Sequence, residues 1–191
     1  MSPITSVHGP IVCCGVARAP FQVVAVPFRV RADGYEYAVF RRADDDAWQW
    51  IAGGGEDSET PGQAARREAF EEAGVSTDTS FYRLTTVDSV PVADFVARTI
   101  WPPDTYVIPQ HYFACDGETL TPTLSAEHTE WCWADEREAM QLLRYDGNRT
   151  ALFELAERLR RDDLPEPGQD RPLARSTPRT SLDRIAGRPQ P

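Results

Sequence analysis

Three glutamates in one short segment offer the clearest chemistry in this sequence. Glu68, Glu71 and Glu72 stand at positions i, i+3 and i+4, so their carboxylates share one face if the segment is a helix. Like charges at this spacing repel, and near a helix C-terminus they also oppose the helix dipole. Carboxylate oxygens suit Mg²⁺ and Mn²⁺, which also accept phosphate oxygens as ligands. The spacing therefore predicts a divalent-cation site, with a solvated acidic face as the alternative.

The residues around the glutamates predict the helix that must carry them. Thr60 is suited to the N-cap, a proline follows at the first helical position, and Gln63 completes a capping box. Gly74 is suited to a left-handed C-cap. We therefore predict a helix over residues 60–73, preceded by a turn at the three glycines of residues 53–55.

The complete segment resembles the signature of the Nudix hydrolase family. That signature reads Gly, five residues, Glu, seven residues, Arg-Glu-aliphatic, one residue, Glu-Glu, one residue, Gly-aliphatic. In this sequence its fixed positions are filled by Gly53, Glu59, Arg67, Glu68, Ala69, Glu71, Glu72, Gly74 and Val75. The resemblance implies an α/β fold, a Nudix-type α/β/α sandwich with a mixed β-sheet and a loop–helix–loop catalytic motif.

The resemblance also implies hydrolysis of a phosphoanhydride bond with the help of a divalent cation. Mg²⁺ is the expected ion, and Mn²⁺ is the alternative. The implied ligands are Glu68, Glu71 and Glu72, joined by the backbone carbonyl of Ala52 or Gly53. The cation would polarise the phosphoryl oxygens and lower the pKa of an attacking water.

Further catalytic roles follow from the same resemblance. Arg67 and Glu59 are expected to form an ion pair that fixes the loop against the helix and aims the ligands. The general base in the family is either the first glutamate of the Arg-Glu segment, here Glu68, or an acid from a distant loop. The distant acid is Glu127, just ahead of a predicted strand. We predict Glu127 as a further metal ligand or base, with an ordinary loop acid as the alternative.

Segments outside the signature resemble the branch of the family that contains dATP and dihydroneopterin triphosphate pyrophosphohydrolases. These segments are FRR at 40–42, WQ at 48–49, YVIPQHYF at 106–113, EHTEW at 127–131 and YDGNRTAL at 145–152. Gln110 departs from the branch, in which we expect an acid there. Pro91 lies near a mark used for ADP-ribose pyrophosphatases.

The branch resemblance implies a substrate class. We expect a small-molecule phosphoanhydride, a nucleoside or pterin triphosphate from which pyrophosphate is released. Two alternatives stay open: an ADP-ribose or nucleotide-sugar diphosphatase, and a non-catalytic Nudix module that only binds a ligand. Such modules often lose the glutamates of the signature, whereas this sequence keeps all of them.

Several residues near the signature are candidates for substrate binding. Arg41 and Arg42 end a predicted strand and point in alternate directions, so one is predicted to bind phosphates and the other to be a solvated charge. Trp48 is a candidate for stacking on a base or pterin, with a core position as the alternative. His111 and His128 are lone histidines, which are more often structural than substrate-binding.

The remaining sequence predicts strands interleaved with helices, a pattern of a layered α/β fold. Asp33-Gly34 predicts a hairpin turn between two Val-, Phe- and Tyr-rich strands. The Leu152, Leu155 and Leu159 stripe predicts an amphipathic helix. Predicted strands are residues 21–30, 35–42, 48–51, 81–92, 107–115 and 131–133, and further helices are 135–144 and 148–161.

Length and composition set the organisation of the chain. A chain of 191 residues has room for one full-sized core. We predict an arm or edge strand over 1–19, a catalytic domain over 20–161 and a disordered tail over 162–191, where large apolar residues are few.

Charge and targeting features exclude several classes of partner. The net charge of −10 and the absence of a basic stripe argue against a nucleic-acid polymer. The N-terminus lacks the features of a signal peptide, and no apolar run reaches membrane-spanning length. Four cysteines without metal-ligand spacing are expected to be free thiols. We expect a cytoplasmic protein without a membrane partner, and a homodimer is possible because many relatives dimerise.

Overall fold

A seven-stranded mixed sheet forms the centre of the protein. The computed structural model describes residues 18–95 and 100–168. The strands are β1 (Arg18–Arg31), β2 (Gly34–Arg42), β3 (Trp48–Gln49), β4 (Ile51–Glu56), β5 (Phe81–Pro91), β6 (Val107–Asp116) and β7 (His128–Ala134). The helices of the described residues are α1 (Pro61–Ala73), α2 (Glu136–Leu142) and α3 (Asp146–Arg161), and Val92–Asp94 form a 3₁₀ turn.

Strand β1 organises the sheet because it pairs with three other strands. The strand order of the sheet is β3-β2-β1-β6-β5, with β4 also paired with β1 and β7 also paired with β2. The first part of β1 pairs with β4, where Val23 lies opposite Gly53, and its last part pairs with β2. Strand β6 runs parallel to β1 along the other edge. The remaining pairings are antiparallel.

Two hydrophobic clusters cover the two faces of the sheet. Alternate residues of β1 face opposite sides, as expected for a strand: Val23 packs with α1, and Val24 packs with α3. Helix α1 buries Ala64, Ala65, Ala69 and Ala73. Helix α3 buries the predicted stripe of Leu152, Leu155 and Leu159. The predicted α/β fold with helices on both sides of a mixed sheet is confirmed.

Local predictions based on caps and turns agree closely with the structure. Helix α1 has Thr60 as its N-cap in a complete capping box with Gln63, and Gly74 ends it in the left-handed conformation with φ of 70°. Asp135 caps α2 through a capping box with Glu138. The hairpin between β1 and β2 turns at the predicted residues.

Two boundary predictions were wrong. The glycines at 53–55 do not form a turn but lie inside β4, and the chain turns only after Glu56. Helix α3 begins at Asp146, before the predicted start at Asn148. Asn148 is buried inside the helix, where its carbonyl accepts a hydrogen bond of 3.1 Å from the Trp50 indole. This tertiary contact holds the first turn of α3 against the sheet.

Some predictions fall on residues outside the described ranges. Residues 1–17 of the predicted arm and 169–191 of the predicted tail lie there, as do Cys13 and Cys14. Among the described cysteines, Cys115 and Cys132 are free thiols. Across residues 18–95 and 100–168, no helix has the length and apolar character needed to cross a membrane.

A carboxylate of α3 fastens that helix to the edge strand β5. Glu154 accepts hydrogen bonds from the backbone N–H groups of Thr85 (2.6 Å) and Thr86 (2.7 Å), and from Arg158 Nε (2.8 Å). These contacts lie where the pairing of β5 with β6 shifts register, between Arg83 and Val87. Burial alone would raise the pKa of Glu154, but the hydrogen bonds outweigh it and hold the pKa below its ordinary value of 4.5.

Replacing Glu154 tests this attachment. Glu154→Gln is expected to lower the free energy of unfolding by about 1–3 kcal/mol at neutral pH, because an amide cannot accept all of these bonds. Since the folded-state pKa is depressed, the stabilisation is complete above the unfolded value of 4.5 and is lost as the pH falls through the folded value. Urea unfolding should therefore show a smaller difference in the free energy of unfolding between Glu154→Gln and the parent protein at pH 3 than at pH 7.

The matched control is Glu157→Gln on the same helix. Glu157 pairs with Arg160 and Arg161 near the surface, and such pairs contribute only about 0–1 kcal/mol. Equal losses in the two variants at pH 7 would show that the attachment to β5 contributes nothing.

Candidate active site

Helix α1 approaches β4 so closely that one residue of the strand must be glycine. A Cβ atom added at Gly53 would lie 2.0 Å from Cδ of Glu68. The same construction at Gly54 meets the Arg18 side chain, and at Gly55 it meets the Phe21 ring. The three glycines therefore provide space for neighbouring side chains, and Gly53 places the Glu68 carboxylate directly against the strand.

Arg67 donates hydrogen bonds to four residues of β4, α1 and the loop between them. Its Nε and Nη2 atoms each donate to Glu59 at 3.0 Å, and Nη2 also donates to the Gly54 carbonyl at 2.8 Å. Its Nη1 atom donates to Glu68 at 2.9 Å and to Glu71 at 3.1 Å. The hydrogen bonds from Arg67 are the main reason that the pKa of Glu59 is lowered. The predicted contact between Arg67 and Glu59 is present, and it joins α1 to the loop after β4.

Glu72 is the most deeply buried carboxylate of the site. Its exposed fraction is 4%, and it accepts a long hydrogen bond of 3.4 Å from the Ala52 N–H. Burial, with the negative charges of Glu68 and Glu127, raises the pKa of Glu72 to about 9. Burial also raises the pKa of Glu68, against the effect of Arg67. Glu68, Glu72 and Glu127 are therefore within electrostatic reach of one another.

The predicted metal ligands surround the end of α1 but are not arranged around a common point. Over the described ranges, no three carboxylate, imidazole or thiol groups lie together as a metal site would require. Glu68 and Glu71 turn toward Arg67, and Glu127 is exposed in the turn before β7. Arg67 is the strongest donor available to these carboxylates, because charge-assisted hydrogen bonds exceed neutral ones.

The two arginines at the end of β2 have different surroundings. Arg41 forms ion pairs with Asp46 at 3.2 Å and Glu130 at 3.1 Å. Arg42 pairs with Asp44, and its positive charge opposes the rise in the pKa of Glu72 that burial and the neighbouring carboxylates cause. Of the two arginines, Arg42 is therefore the one whose charge reaches the carboxylates.

Trp48 lies in β3 opposite Arg41. It is half-buried and packs against the cluster beneath α3, and its carbonyl accepts a hydrogen bond of 3.1 Å from the Arg144 N–H. These surroundings match the core position that the sequence left as an alternative to stacking on a substrate.

Sequence reasoning missed the place of His128. It begins β7 directly after Glu127, opposite Arg42, and it is buried. Its Nδ1 atom lies 3.8 Å from Oε2 of Glu72. The one clue in the sequence was its position next to Glu127, because only the pairing of β7 with β2 brings it to Glu72.

A polar group on the opposite face of the sheet was also missed. Gln110 donates to the Tyr112 hydroxyl at 2.6 Å, and its partner across the strands is Asp88. A Cβ at Gly147, at the start of α3, would lie 2.3 Å from an Asp88 oxygen. Gln22 is buried beside Gln110, and its Nε2 atom has no hydrogen-bond partner among the described residues. Gln110 therefore stays a departure from the branch, and an acid, Asp88, lies opposite it on the neighbouring strand.

The fold and signature match a known family over most of the chain. The NUDIX domain family covers residues 20–155. The chain belongs to the Nudix family. Enzymes of this family are hydrolases that generally use divalent metal ions and act on small phosphorylated molecules. This Nudix protein is accordingly an enzyme that hydrolyses phosphoanhydride bonds.

Individual relatives agree with this membership. A Haemophilus influenzae protein named dihydroneopterin triphosphate diphosphatase is 29% identical over 125 residues, which are 63% of this chain and 78% of the relative. A Listeria monocytogenes protein described as a Nudix hydrolase has a crystal structure with a TM-score of 0.71 and 40% identity, over 78% of this chain and 99% of that one. The E. coli dihydroneopterin triphosphate pyrophosphohydrolase shares the fold, with a TM-score of 0.61 at 22% identity over 75% of this chain and 99% of that one.

The contact between Gly53 and Glu68 predicts the effect of one added methyl group. Gly53→Ala should displace the Glu68 carboxylate and lower turnover about 100-fold, as misplacements of about 1 Å can do. The fold should survive, because the displaced group is the end of a flexible side chain. Turnover of a phosphoanhydride substrate and thermal unfolding would be measured together.

Gly54→Ala is the matched control. Its Cβ would point to the other face of the sheet and meet only the Arg18 side chain, so turnover should stay near that of the parent protein. A Gly53→Ala enzyme that keeps full turnover would show that the position of Glu68 does not matter.

Proposed function

We propose that this protein is a metal-dependent pyrophosphohydrolase that cleaves a nucleoside or pterin triphosphate and releases pyrophosphate. The observation that carries the proposal is the burial of Glu68 and Glu72 against β4, next to Glu127, in an arrangement that disfavours their charged forms. The name of the Haemophilus influenzae relative supports a pterin triphosphate as one substrate.

The side chains around Glu72 fit a hard divalent cation. Glu68, Glu71, Glu72 and Glu127 offer only oxygen donors, which suit Mg²⁺ or Mn²⁺. A buried carboxylate with like charges beside it is costly unless a cation offsets it. Glu68 and Glu71 would turn from Arg67 to the ion, and the carbonyl of Ala52, whose own N–H lies 3.4 Å from Glu72, would complete the set.

The cation would supply electrophilic polarisation of the phosphoryl oxygens and would acidify a water. Either Glu68 or Glu127 would take the proton of that water. Burial raises the pKa of Glu68, which makes this carboxylate a stronger base than an ordinary glutamate. Arg67 and Glu59 would hold the loop against α1 during the reaction.

Two groups would bind the substrate itself. Arg42 would exchange Asp44 for a phosphate oxygen, because a guanidinium binds phosphate in the same forked manner as a carboxylate. The heterocycle would meet the polar group of Gln22, Asp88 and Gln110, whose amides and carboxylate can match the ring nitrogens. This assignment replaces Trp48 as the main base-binding residue, since Trp48 packs against the core.

Product analysis tests the proposed reaction. Purified protein with Mg²⁺ would be incubated separately with nucleoside triphosphates, dihydroneopterin triphosphate, ADP-ribose and nucleotide sugars. We expect a monophosphate and pyrophosphate, with orthophosphate appearing only after inorganic pyrophosphatase is added. Cleavage of ADP-ribose to two monophosphates, without turnover of any triphosphate, would favour the diphosphatase alternative. Tight binding without turnover would favour a ligand-binding module.

Substitution of the buried glutamates tests the site. Glu68→Gln and Glu72→Gln should each lower turnover about 10²–10⁴-fold, a range typical for losing a group that acts in the reaction. The thermal unfolding temperature should not fall, because a neutral amide replaces a carboxyl group whose charged form burial disfavours. EDTA should abolish wild-type turnover, and excess Mg²⁺ should restore it. Glu118→Gln, on an exposed turn where Glu118 pairs with Arg31, is the control, and near wild-type turnover in Glu72→Gln would refute the site.

A further inference from the structure

The surroundings of His128 are unusual for a buried polar residue. Its side chain is only 1% exposed. Within residues 18–95 and 100–168, neither Nδ1 nor Nε2 has a hydrogen-bond partner, and both atoms are shielded from solvent. Leaving a buried donor or acceptor unpaired costs about 1–3 kcal/mol. An apolar side chain at this position would therefore make the folded protein more stable.

The contact between His128 and Glu72 is too long to be a hydrogen bond. The distance of 3.8 Å is about 0.8 Å longer than an ordinary N–H···O hydrogen bond. An imidazole always carries at least one N–H, which can donate to a carboxylate.

Phe40 restricts where the imidazole can turn. The two ring centroids are 5.3 Å apart, and Phe40 itself is fully buried. The His128 backbone is held by the pairing of β7 with β2. The ring is therefore held in place beside Glu72.

We propose that His128 is a positioning residue whose Nδ1–H donates to Oε2 of Glu72 and aims the other carboxylate oxygen at the divalent cation. The proposal rests on the proposed function, because it concerns the same cation. It explains why a polar residue occupies this buried position beside Glu72. Residues that orient a metal ligand in this way typically contribute 10–100-fold to metal affinity.

Direct metal binding by two variants tests the proposal. His128→Leu removes both nitrogens, and His128→Asn keeps an N–H near the place of Nδ1. Mn²⁺ would be titrated into the full chain, with the free ion followed by electron paramagnetic resonance. We expect about 10–100-fold weaker binding for His128→Leu and recovery of most of that loss in His128→Asn.

Thermal unfolding of the metal-free protein distinguishes a positioning role of His128 from a packing role. His128→Leu should unfold at the same temperature as the parent protein or higher, because it removes unpaired polar atoms. His111→Leu is the matched control: His111 lies in β6 and contacts Arg83 at 3.1 Å, so this variant should bind Mn²⁺ normally. If His128→Leu unfolds more easily but binds Mn²⁺ as tightly as the parent protein, His128 is a packing residue and the proposal is wrong.

Two further measurements separate this proposal from the proposed function. Glu72→Gln should also weaken Mn²⁺ binding, and if it does not, the proposed metal site is wrong. If Glu72→Gln weakens Mn²⁺ binding but His128→Leu does not, only the role of His128 is refuted. In ¹⁵N-histidine-labelled wild-type protein with Mg²⁺, we expect the proton on Nδ1 of His128. A proton on Nε2 alone would overturn the proposal even if both His128 variants fail to fold, because a bare Nδ1 cannot donate.

Discussion

The close packing of helix α1 on strand β4 is the constraint from which the rest of the site follows. Four alanines of α1 face the sheet, and Gly53 leaves the space that the Glu68 carboxylate occupies. Larger side chains on either surface would hold the helix farther away. Because the helix lies so close, the Ala52 N–H reaches Glu72, and the strand backbone and the acidic face of α1 become parts of one site.

The same packing creates an electrostatic problem that Arg67 solves only in part. Three glutamates on one helix face repel one another, and burial makes the charges of Glu68 and Glu72 more costly. Arg67 has five N–H donors in a rigid fork, and it uses them on Glu59, Glu68, Glu71 and the Gly54 carbonyl. Glu72 receives no bond from it. Arg67 therefore pairs with the outer carboxylates of the site, whereas Glu72, the most deeply buried one, accepts the long hydrogen bond from the Ala52 N–H.

Features set by local interactions could be predicted from the sequence, and features set by distant contacts could not. The ends of α1 and the first hairpin depend on caps and turn residues that are neighbours in the chain. The glycines at 53–55 were misassigned because glycine usually indicates backbone freedom, whereas here it provides room for side chains from other elements. His128 carries no local pattern that reveals Glu72 as its neighbour. That contact exists only after β7 pairs with β2 and α1 packs on β4.

The unpaired atoms of His128 and the poorly bonded Glu72 favour one view of how stability and function are related here. Both groups lie in a core that apolar side chains would fill at lower cost. Their identities are therefore explained by a state of the protein in which both are satisfied. If a cation binds Glu72, its binding free energy adds to the stability of the folded chain, because the unfolded chain offers no comparable site. Burial of these groups would then destabilise the cation-free protein, and the bound cation would offset that cost. The chemistry of the site and the stability of the fold would therefore both depend on the carboxylate of Glu72.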